Sequence, residues 1–193
     1  MEYKLLKTER KYNGWMKVDS LTLQQKTPTG EWSKEFNREV IVRGDAVIGL
    51  IVDPLNKKLL LTSQLRPGGI LQDMPYIYEM VAGMIDTGES HEEALKREAF
   101  EETAVDNLQN IEHICSYLPS CGSLSEKVHL YYAEANLENL PKFAGCSDEN
   151  EVIEIVVLDY DEAFKWQKEG KIGTGNGHVA LNWLKYKLLS ESK

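Results

Sequence analysis

The stretch GMIDTGESHEEALKREAFEETAV, residues 83–105, decides the fold of this chain. It opens on Gly83, which predicts a turn, and continues into a charge-rich segment that predicts a helix beginning near Ser90. Ser90 and Glu93 have the spacing of a capping box, in which each side chain bonds the other residue's backbone N–H. The stretch is therefore predicted to be a turn followed by a helix that carries several carboxylates.

The carboxylates of this predicted helix are clustered. Glu98, Glu101 and Glu102 are three and four residues apart, which places them on one side. A helical wheel places three apolar residues on that same side: Ala94, Leu95 and Val105. Clustered like charges raise each other's pKa or require a counter-ion, and oxygen ligands favour Mg²⁺ or Mn²⁺. The plain alternative is a solvated polar face, but carboxylates among apolar residues favour a metal site.

The segments around this helix predict a mixed sheet. Apolar runs at 46–52 and 58–62 indicate two buried strands joined by the turn Asp53-Pro54-Leu55-Asn56. Further strands are predicted at 76–82, 111–116, 127–135 and 151–158. Helices are predicted at 161–169 and 178–189. A mixed sheet flanked by helices indicates an α/β or α+β domain over residues 45–193.

Residues 1–44 are more polar and are predicted to form an appendage. An alternating pattern at 17–25, a turn at 27–30 and a second strand at 32–42 indicate an antiparallel β-hairpin. Trp15 and Trp32 stand out in this segment. Composition favours tryptophans that cap a small core or a dimer contact, and a stacking surface for a flat ring is the alternative.

Composition limits the classes of function. The chain has 193 residues, 42% of them hydrophobic, and a net charge of −9, with no basic run to bind nucleic acid. The three cysteines, Cys115, Cys121 and Cys146, include no C-x-x-C, which indicates reduced thiols in a cytoplasmic protein. We find no signal peptide and no apolar run long enough to span a membrane.

The stretch at residues 83–105 resembles the Nudix box, Gly-x5-Glu-x7-Arg-Glu-U-x-Glu-Glu-x-Gly-U, where U is aliphatic. The matching residues are Gly83, Glu89, Arg97, Glu98, Glu101, Glu102 and Val105. Ala99 stands at the first aliphatic position and Ala104 at the second glycine. That last change is strained if the helix end requires a positive φ and mild if it does not.

From about Arg38 to Tyr186 the chain resembles the ADP-ribose pyrophosphatase branch of Nudix hydrolases. The resemblance rests on several further motifs: Arg38-Glu39, Arg43-Gly44, Gln64-Leu65-Arg66, Glu79 to Gly83, Ser125-Glu126, Asp148 to Glu151, and Gly170-Lys171-Ile172. It implies an α/β/α sandwich around a mixed sheet, and a homodimer in which N-terminal strands are exchanged.

The resemblance also implies roles for the box residues. Glu98 and Glu102 would bind Mg²⁺ directly, with the Ala82 carbonyl, and Mn²⁺ is the alternative ion. Glu101 would be a further ligand or a bridge. Arg97 would pair with Glu89 and hold the helix against its loop.

Other roles lie outside the box. Glu149 matches the general base of this branch, and Glu151 is the alternative. The residues implied to contact substrate are Trp15, Trp32, Arg38, Glu39, Arg66, Met84 and Glu126. For Arg66 a surface cation beside a turn is an equal alternative.

The implied activity is hydrolysis of ADP-ribose to AMP and ribose 5-phosphate. Ser120-Cys121-Gly122 stands where this branch usually has Ser-Pro-Gly, so GDP-mannose or another nucleoside-diphosphate sugar is the alternative substrate. A Nudix-like binding module without turnover is a rival, although the retained Glu98, Glu101 and Glu102 count against it. An mRNA-decapping or nucleotide-sanitising enzyme is disfavoured by the acidic charge.

Overall fold

The computed structural model describes residues 1–146 and 150–191. The chain divides into two compact units. One comprises Met1–Asp45 with Leu118–Lys127, and the other comprises Ala46–Tyr117 with the chain from Val128 onward. Within the described residues, no helix is long and apolar enough to cross a membrane.

The N-terminal unit is a three-stranded antiparallel sheet. Its strands are β1 (Tyr3–Asn13), β2 (Lys17–Gln25) and β3 (Phe36–Val42), in the order β1-β2-β3. The predicted hairpin is confirmed as β2 and β3, but its second strand begins at Phe36 because Trp32 forms only an isolated bridge with Lys26. The sequence did not predict β1, since nearly all its side chains are exposed and it has no apolar alternation.

The segment 118–127 joins the N-terminal unit through backbone hydrogen bonds. The Ile41 N–H donates to the Ser123 carbonyl at 2.8 Å, and the Ser125 N–H donates to the Ile41 carbonyl at 3.0 Å. The segment therefore extends this unit beside β3. The sequence predicted only a loop between two strands here.

The larger unit is built on a mixed sheet. In the described part of the chain its strands are β4 (Ala46–Asp53), β5 (Lys58–Leu65), β6 (Tyr76–Glu79), β7 (Val81–Met84), β8 (Gln109–Tyr117), β9 (Val128–Glu134), β10 (Phe143–Ala144) and β11 (Ile153–Asp159). The main path is β10-β11-β5-β4-β9-β8, with β6 paired to β5 and β7 to β4. The pair β4–β9 is parallel and the other pairs are antiparallel, so the predicted mixed sheet is confirmed.

Helices cover both faces of this sheet. They are α1 (Pro67–Ile70), α2 (His91–Thr103), α3 (Tyr160–Lys168) and α4 (Gly175–Glu191). Leu50 of β4 belongs to a buried cluster that includes Leu181 of α4, whereas Val47 belongs to another that includes Leu95 of α2. Because alternate residues of a strand point to opposite faces, β4 is buried from both sides. The α/β/α sandwich is confirmed.

The strand before the box differs from the prediction. Instead of one strand over 76–82, β6 and β7 are separated at Met80, and Gly83 lies within β7 opposite Val47. After β7, the first residue with a positive φ is Gly88, at 89°. A continuous β-type pattern does not reveal that consecutive residues pair with two different strands, which is why the break was not predicted.

Candidate active site

Helix α2 begins as the sequence predicts. Ser90 is the N-cap, its side chain accepts from the Glu93 N–H, and the Glu93 carboxylate accepts from the Ser90 N–H at 2.8 Å. This reciprocal pair satisfies two of the N–H groups that a helix start leaves unpaired.

The helix docks on the sheet through small residues and one carboxylate. Ala94, Leu95 and Ala99 are fully buried, and Glu102 is 4% exposed. The Glu101 side chain, by contrast, is 48% exposed. The three predicted carboxylates therefore do not share one environment, because successive residues are about 100° apart on a helix and Glu101 falls at the edge of the docked face.

Glu102 is held by two donors. Its Oε2 accepts from the backbone N–H of Ala82 at 3.1 Å, and its Oε1 accepts from Gln64 Nε2 at 3.0 Å. The pKa of Glu102 is raised to about 8, chiefly by burial and also by the charges of Glu98 and Glu79, although the two hydrogen bonds oppose the rise. The site thus contains a carboxyl group that is hard to ionise without a cation.

Glu98 lies against the backbone of Gly83. A Cβ on Gly83 would stand 1.8 Å from the carboxyl carbon of Glu98, so only glycine permits this approach. Gly83 therefore leaves room for the Glu98 carboxylate beside β7, rather than forming the turn that the sequence predicted. Burial raises the pKa of Glu98, Arg97 lowers it, and the charges of Glu101 and Glu151 add to the rise.

Arg97 links the helix to the loop that precedes it. Its guanidinium bonds both carboxylate oxygens of Glu89 at 2.9 Å, and its Nη2 also donates to the Met84 carbonyl at 2.9 Å. Its Nη1 bonds Glu98 at 2.7 Å and Glu101 at 3.1 Å. The pair with Glu89 that the resemblance implies is therefore present, and Arg97 pairs with Glu101 as well. The hydrogen bonds from Arg97 lower the pKa of Glu89.

Two polar residues of this region, the buried Gln64 and the half-buried Glu79, received no role from the sequence. Gln64 bonds Glu102, and Glu79 pairs with Arg66, whose Nε lies 2.6 Å from the Glu79 carboxylate. Burial raises the pKa of Glu79 and Arg66 opposes the rise. Both residues stood in quoted motifs, but only the paired geometry reveals what they contact.

The two predicted general bases, Glu149 and Glu151, lie in the sequence between β10 and β11. Glu149 lies outside the described residues. Glu151 is half-buried, and its backbone N–H donates to the Cys146 carbonyl at 3.1 Å. Its charge contributes to the raised pKa of Glu98, so Glu151 lies within electrostatic reach of the carboxylate site.

Five of the predicted substrate contacts belong to the N-terminal unit. Trp15 is 87% exposed, and Arg38 and Glu39 are also exposed. Trp32 is half-buried under the Lys4 ammonium, which lies 3.9 Å from the ring centroid. The fifth, Glu126, forms an ion pair at 3.4 Å with the guanidinium of Arg43. The roles of these five residues in substrate binding stay predictions.

The residues of the α2 region suit a divalent cation in their chemistry. Glu98 and Glu102 are largely withdrawn from water, have raised pKa values and offer oxygen donors only, which are the ligands that Mg²⁺ prefers. In residues 1–146 and 150–191 as they stand, no three acidic, histidine or cysteine side chains converge closely enough to enclose an ion.

Several known proteins are similar to this chain over most of its length. A family model described as the NUDIX domain matches residues 42–177. An ADP-ribose pyrophosphatase of Escherichia coli (strain K12) is 32% identical over 184 residues, or 95% of this chain and 88% of the relative. A GDP-mannose pyrophosphatase of Yersinia enterocolitica is 30% identical over 181 residues, or 92% of each chain.

A solved structure shares the fold. The crystal structure of an ADP compounds hydrolase matches with a TM-score of 0.73 and 18% identity, over 99% of this chain and 96% of the other. Because the family model spans most of the chain and the E. coli relative is 32% identical, this chain belongs to the Nudix family of hydrolases.

Proposed function

We propose that the chain hydrolyses the pyrophosphate bond of a nucleoside-diphosphate sugar with the help of a divalent cation. The substrate we favour is ADP-ribose, which water would cleave to AMP and ribose 5-phosphate. The observation that carries the proposal is the carboxylate pair of the half-buried Glu98 and the buried Glu102, held beside Arg97 on a helix whose sequence matches the Nudix box. The E. coli relative named for this activity supports the choice of substrate.

Mg²⁺ is the proposed ion, with Mn²⁺ as the alternative. Glu98, Glu102 and the Ala82 carbonyl would bind it, with Glu101 as a further ligand or bridge. A bound divalent cation neutralises diphosphate charge and orients water for attack. The support from this chain is electrostatic, since Glu98 and Glu102 repel each other where burial already disfavours their ionised forms.

The remaining roles concern the base and the substrate. Glu149 would be the general base, with Glu151 as the alternative, and Arg97 would keep the helix in place. The proposed substrate contacts are Trp15, Trp32, Arg38, Glu39, Arg66, Met84 and Glu126. The exposed aromatic ring of Trp15 is suited to stack on a nucleobase. We also retain the proposal of a cytoplasmic protein, which the three free cysteines support.

We further propose a homodimer in which the N-terminal strands are exchanged. The N-terminal unit leaves large apolar side chains exposed, among them Tyr3 at 75% and Tyr12 at 58%. Size-exclusion chromatography with light scattering measures the molar mass of the protein in solution and so tests the oligomeric state. A dimer would have twice the 22.0 kDa of one chain, and a monomer at micromolar concentration would contradict the proposal.

GDP-mannose is the second candidate substrate. A relative named for that activity is 30% identical, and Cys121 stands where the ADP-ribose branch usually has proline. Proline fixes its own φ, so its absence removes a constraint on the loop.

A panel of nucleoside-diphosphate sugars with Mg²⁺ tests the function. Alkaline phosphatase releases phosphate from the phosphomonoester products but not from the intact diphosphate, so phosphate release reports cleavage. We expect the highest kcat/KM for ADP-ribose, with AMP and ribose 5-phosphate as products. A preference for GDP-mannose would replace the substrate, and no release from any member would favour a binding module.

A further inference from the structure

Gln64, on β5, is a buried amide that faces the carboxylate of Glu102. It is 5% exposed, and its side-chain hydrogen bond within the described residues runs from Nε2 to Glu102 Oε1 at 3.0 Å. A buried amide is costly unless it is hydrogen-bonded, and an ionised carboxylate only accepts. The amide N–H of Gln64 therefore points to Glu102, because a buried amide needs a partner and the carboxylate accepts a hydrogen bond.

The second oxygen of Glu102 is fixed independently. The Ala82 N–H, on β7, donates to Oε2 at 3.1 Å. Donors on two different strands thus fix both oxygens of one carboxylate, and with them its plane. The Ala82 donor is a backbone group of the sheet, which no substitution other than proline removes. Of the two donors, that of Gln64 is therefore the one to remove by mutation.

The neighbouring residue Thr62 supplies a contrast. Alternate residues of a strand share a face, so Thr62 and Gln64 lie on the same side of β5. Thr62 is fully buried, and in the described part of the chain its hydroxyl has no hydrogen-bond partner. A buried polar side chain on this face of β5 therefore does not always find a hydrogen-bond partner. The hydrogen bond between Gln64 and Glu102 is thus a particular feature of Gln64 and not a general consequence of burial on this face.

We propose that Gln64 is a positioning residue that holds the Glu102 carboxylate in the orientation in which it binds the divalent cation. Gln64 then sets the cation affinity and kcat without touching the substrate. This inference rests on the proposed function, because it assigns Gln64 a task only if Glu102 is a cation ligand.

The test is Mn²⁺ binding, measured from the electron paramagnetic resonance signal of free Mn²⁺ in titrations of the full-length protein. Gln64→Met keeps the length of the side chain and removes the donor. We expect it to weaken Mn²⁺ binding by about 10-fold or more, as removal of partners of metal ligands does. Gln64→Asn is a second variant, which serves if Gln64→Met fails to fold. It keeps the amide but shortens the side chain, so we expect it to weaken Mn²⁺ binding as well.

Thr62→Val is the matched control, since it alters a buried residue of the same strand face that does not contact Glu102. We expect wild-type Mn²⁺ affinity and wild-type kcat from it. For Gln64→Met with saturating Mg²⁺, we expect a lower kcat with an unchanged KM for the sugar nucleotide. A purely structural role would instead lower the Tm of Gln64→Met and leave Mn²⁺ affinity and kcat of the folded protein unchanged.

A double-mutant cycle links the effect to Glu102. Adding Gln64→Met to Glu102→Gln should cause no further loss of Mn²⁺ affinity, because the ligand that Gln64 positions is already gone. Wild-type affinity in Gln64→Met, or additive losses in the double variant, would overturn the inference while leaving the proposed function intact. If the wild-type protein neither binds Mn²⁺ nor cleaves any nucleoside-diphosphate sugar, both proposals fail together.

Discussion

At the scale of single residues, the site depends on the burial of Glu102. A carboxylate that is 4% exposed, beside the half-buried carboxylate of Glu98, is disfavoured in its ionised form unless a cation is bound. The hydrogen bonds from Ala82 and Gln64 reduce this cost but do not remove it, because the pKa still rises to about 8. In the metal-free protein this residue should therefore couple stability to pH.

The pH dependence has a defined sign. The pKa of Glu102 rises from 4.5 to about 8 on folding, so between these values the folded state binds more protons than the unfolded state. The contribution of Glu102 to stability is complete below pH 4.5 and is lost as the pH rises through 8. The difference is on the order of 3 to 5 kcal/mol.

We expect the Tm of the protein in EDTA to fall by roughly 5 to 10 °C between pH 6 and pH 8.5. Glu102→Gln should flatten this dependence, whereas Glu92→Gln, on the exposed side of α2, should keep it. Mg²⁺ should raise the Tm more at the higher pH, where Glu102 ionises. Equal slopes in the wild type and in Glu102→Gln would show that Glu102 is not the titrating group.

At the scale of elements, the position of the Glu98 carboxylate between α2 and β7 depends on a residue without a side chain. Gly83 allows the Glu98 carboxylate to approach the strand, and a Cβ there would stand 1.8 Å from its carboxyl carbon. Gly83→Ala should displace Glu98 by about 1 Å or more and lower kcat by about 100-fold while the protein stays folded.

The control for Gly83→Ala is Gly68→Ala, whose added Cβ meets no atom within 4 Å. Steady-state kinetics and circular dichroism on both variants separate a displaced carboxylate from a general loss of structure. A Gly83→Ala variant with wild-type kcat would mean that the position of Glu98 relative to β7 is unimportant.

The end of α2 contains a strained residue. Ala104, the C-cap, has φ 60° and ψ 18°, in the left-handed region that glycine adopts at little cost. The sequence left open whether the helix end needs a positive φ, and the structure shows that it does. Ala104→Gly should therefore increase the free energy of unfolding by about 1 kcal/mol.

Thermal unfolding checks this value. Ala104→Gly should raise the Tm by about 2 to 4 °C. Ala94→Gly, inside the same helix, should lower the Tm because glycine destabilises a helix interior by about 1 kcal/mol. A lower Tm in Ala104→Gly would indicate that the Ala104 methyl group packs well enough to outweigh the strain.

The elements differ in how far the sequence predicts them. The capping box at Ser90 predicted the start of α2 correctly, and the buried runs predicted β4 and β5, because these signals are local. The break at Met80 and the pairing of 118–127 with β3 depend on which distant strand supplies the partner. Local periodicity carries no information about that choice.

The candidate site follows the same division. The box spacing predicted that Glu98, Glu102, Arg97 and Glu89 would be close neighbours, since all four lie within one loop and helix. The sequence did not predict the contact of Gln64 with Glu102, because 38 residues separate them and only the docking of α2 on β5 and β7 brings them together. The turn inferred at Gly83 was wrong because a required glycine need not have a positive φ.

At the scale of the whole molecule, the protein and the proposed substrate both carry a negative net charge. A chain of net charge −9 would repel a diphosphate unless positive charge is supplied locally. In the larger unit, Arg97 is already paired with Glu89, Glu98 and Glu101, and Arg66 with Glu79. A divalent cation at Glu98 and Glu102 would supply that charge.

The most direct test is the kcat of Glu102→Gln with ADP-ribose and saturating Mg²⁺, compared with that of Glu92→Gln. Both variants replace a glutamate of α2 by its neutral amide, but Glu102 is buried in the site and Glu92 is exposed. We expect Glu102→Gln to lose about two orders of magnitude or more in kcat, and Glu92→Gln to stay within about twofold of the wild type. A folded Glu102→Gln variant that retains near wild-type turnover would contradict the assignment of this site.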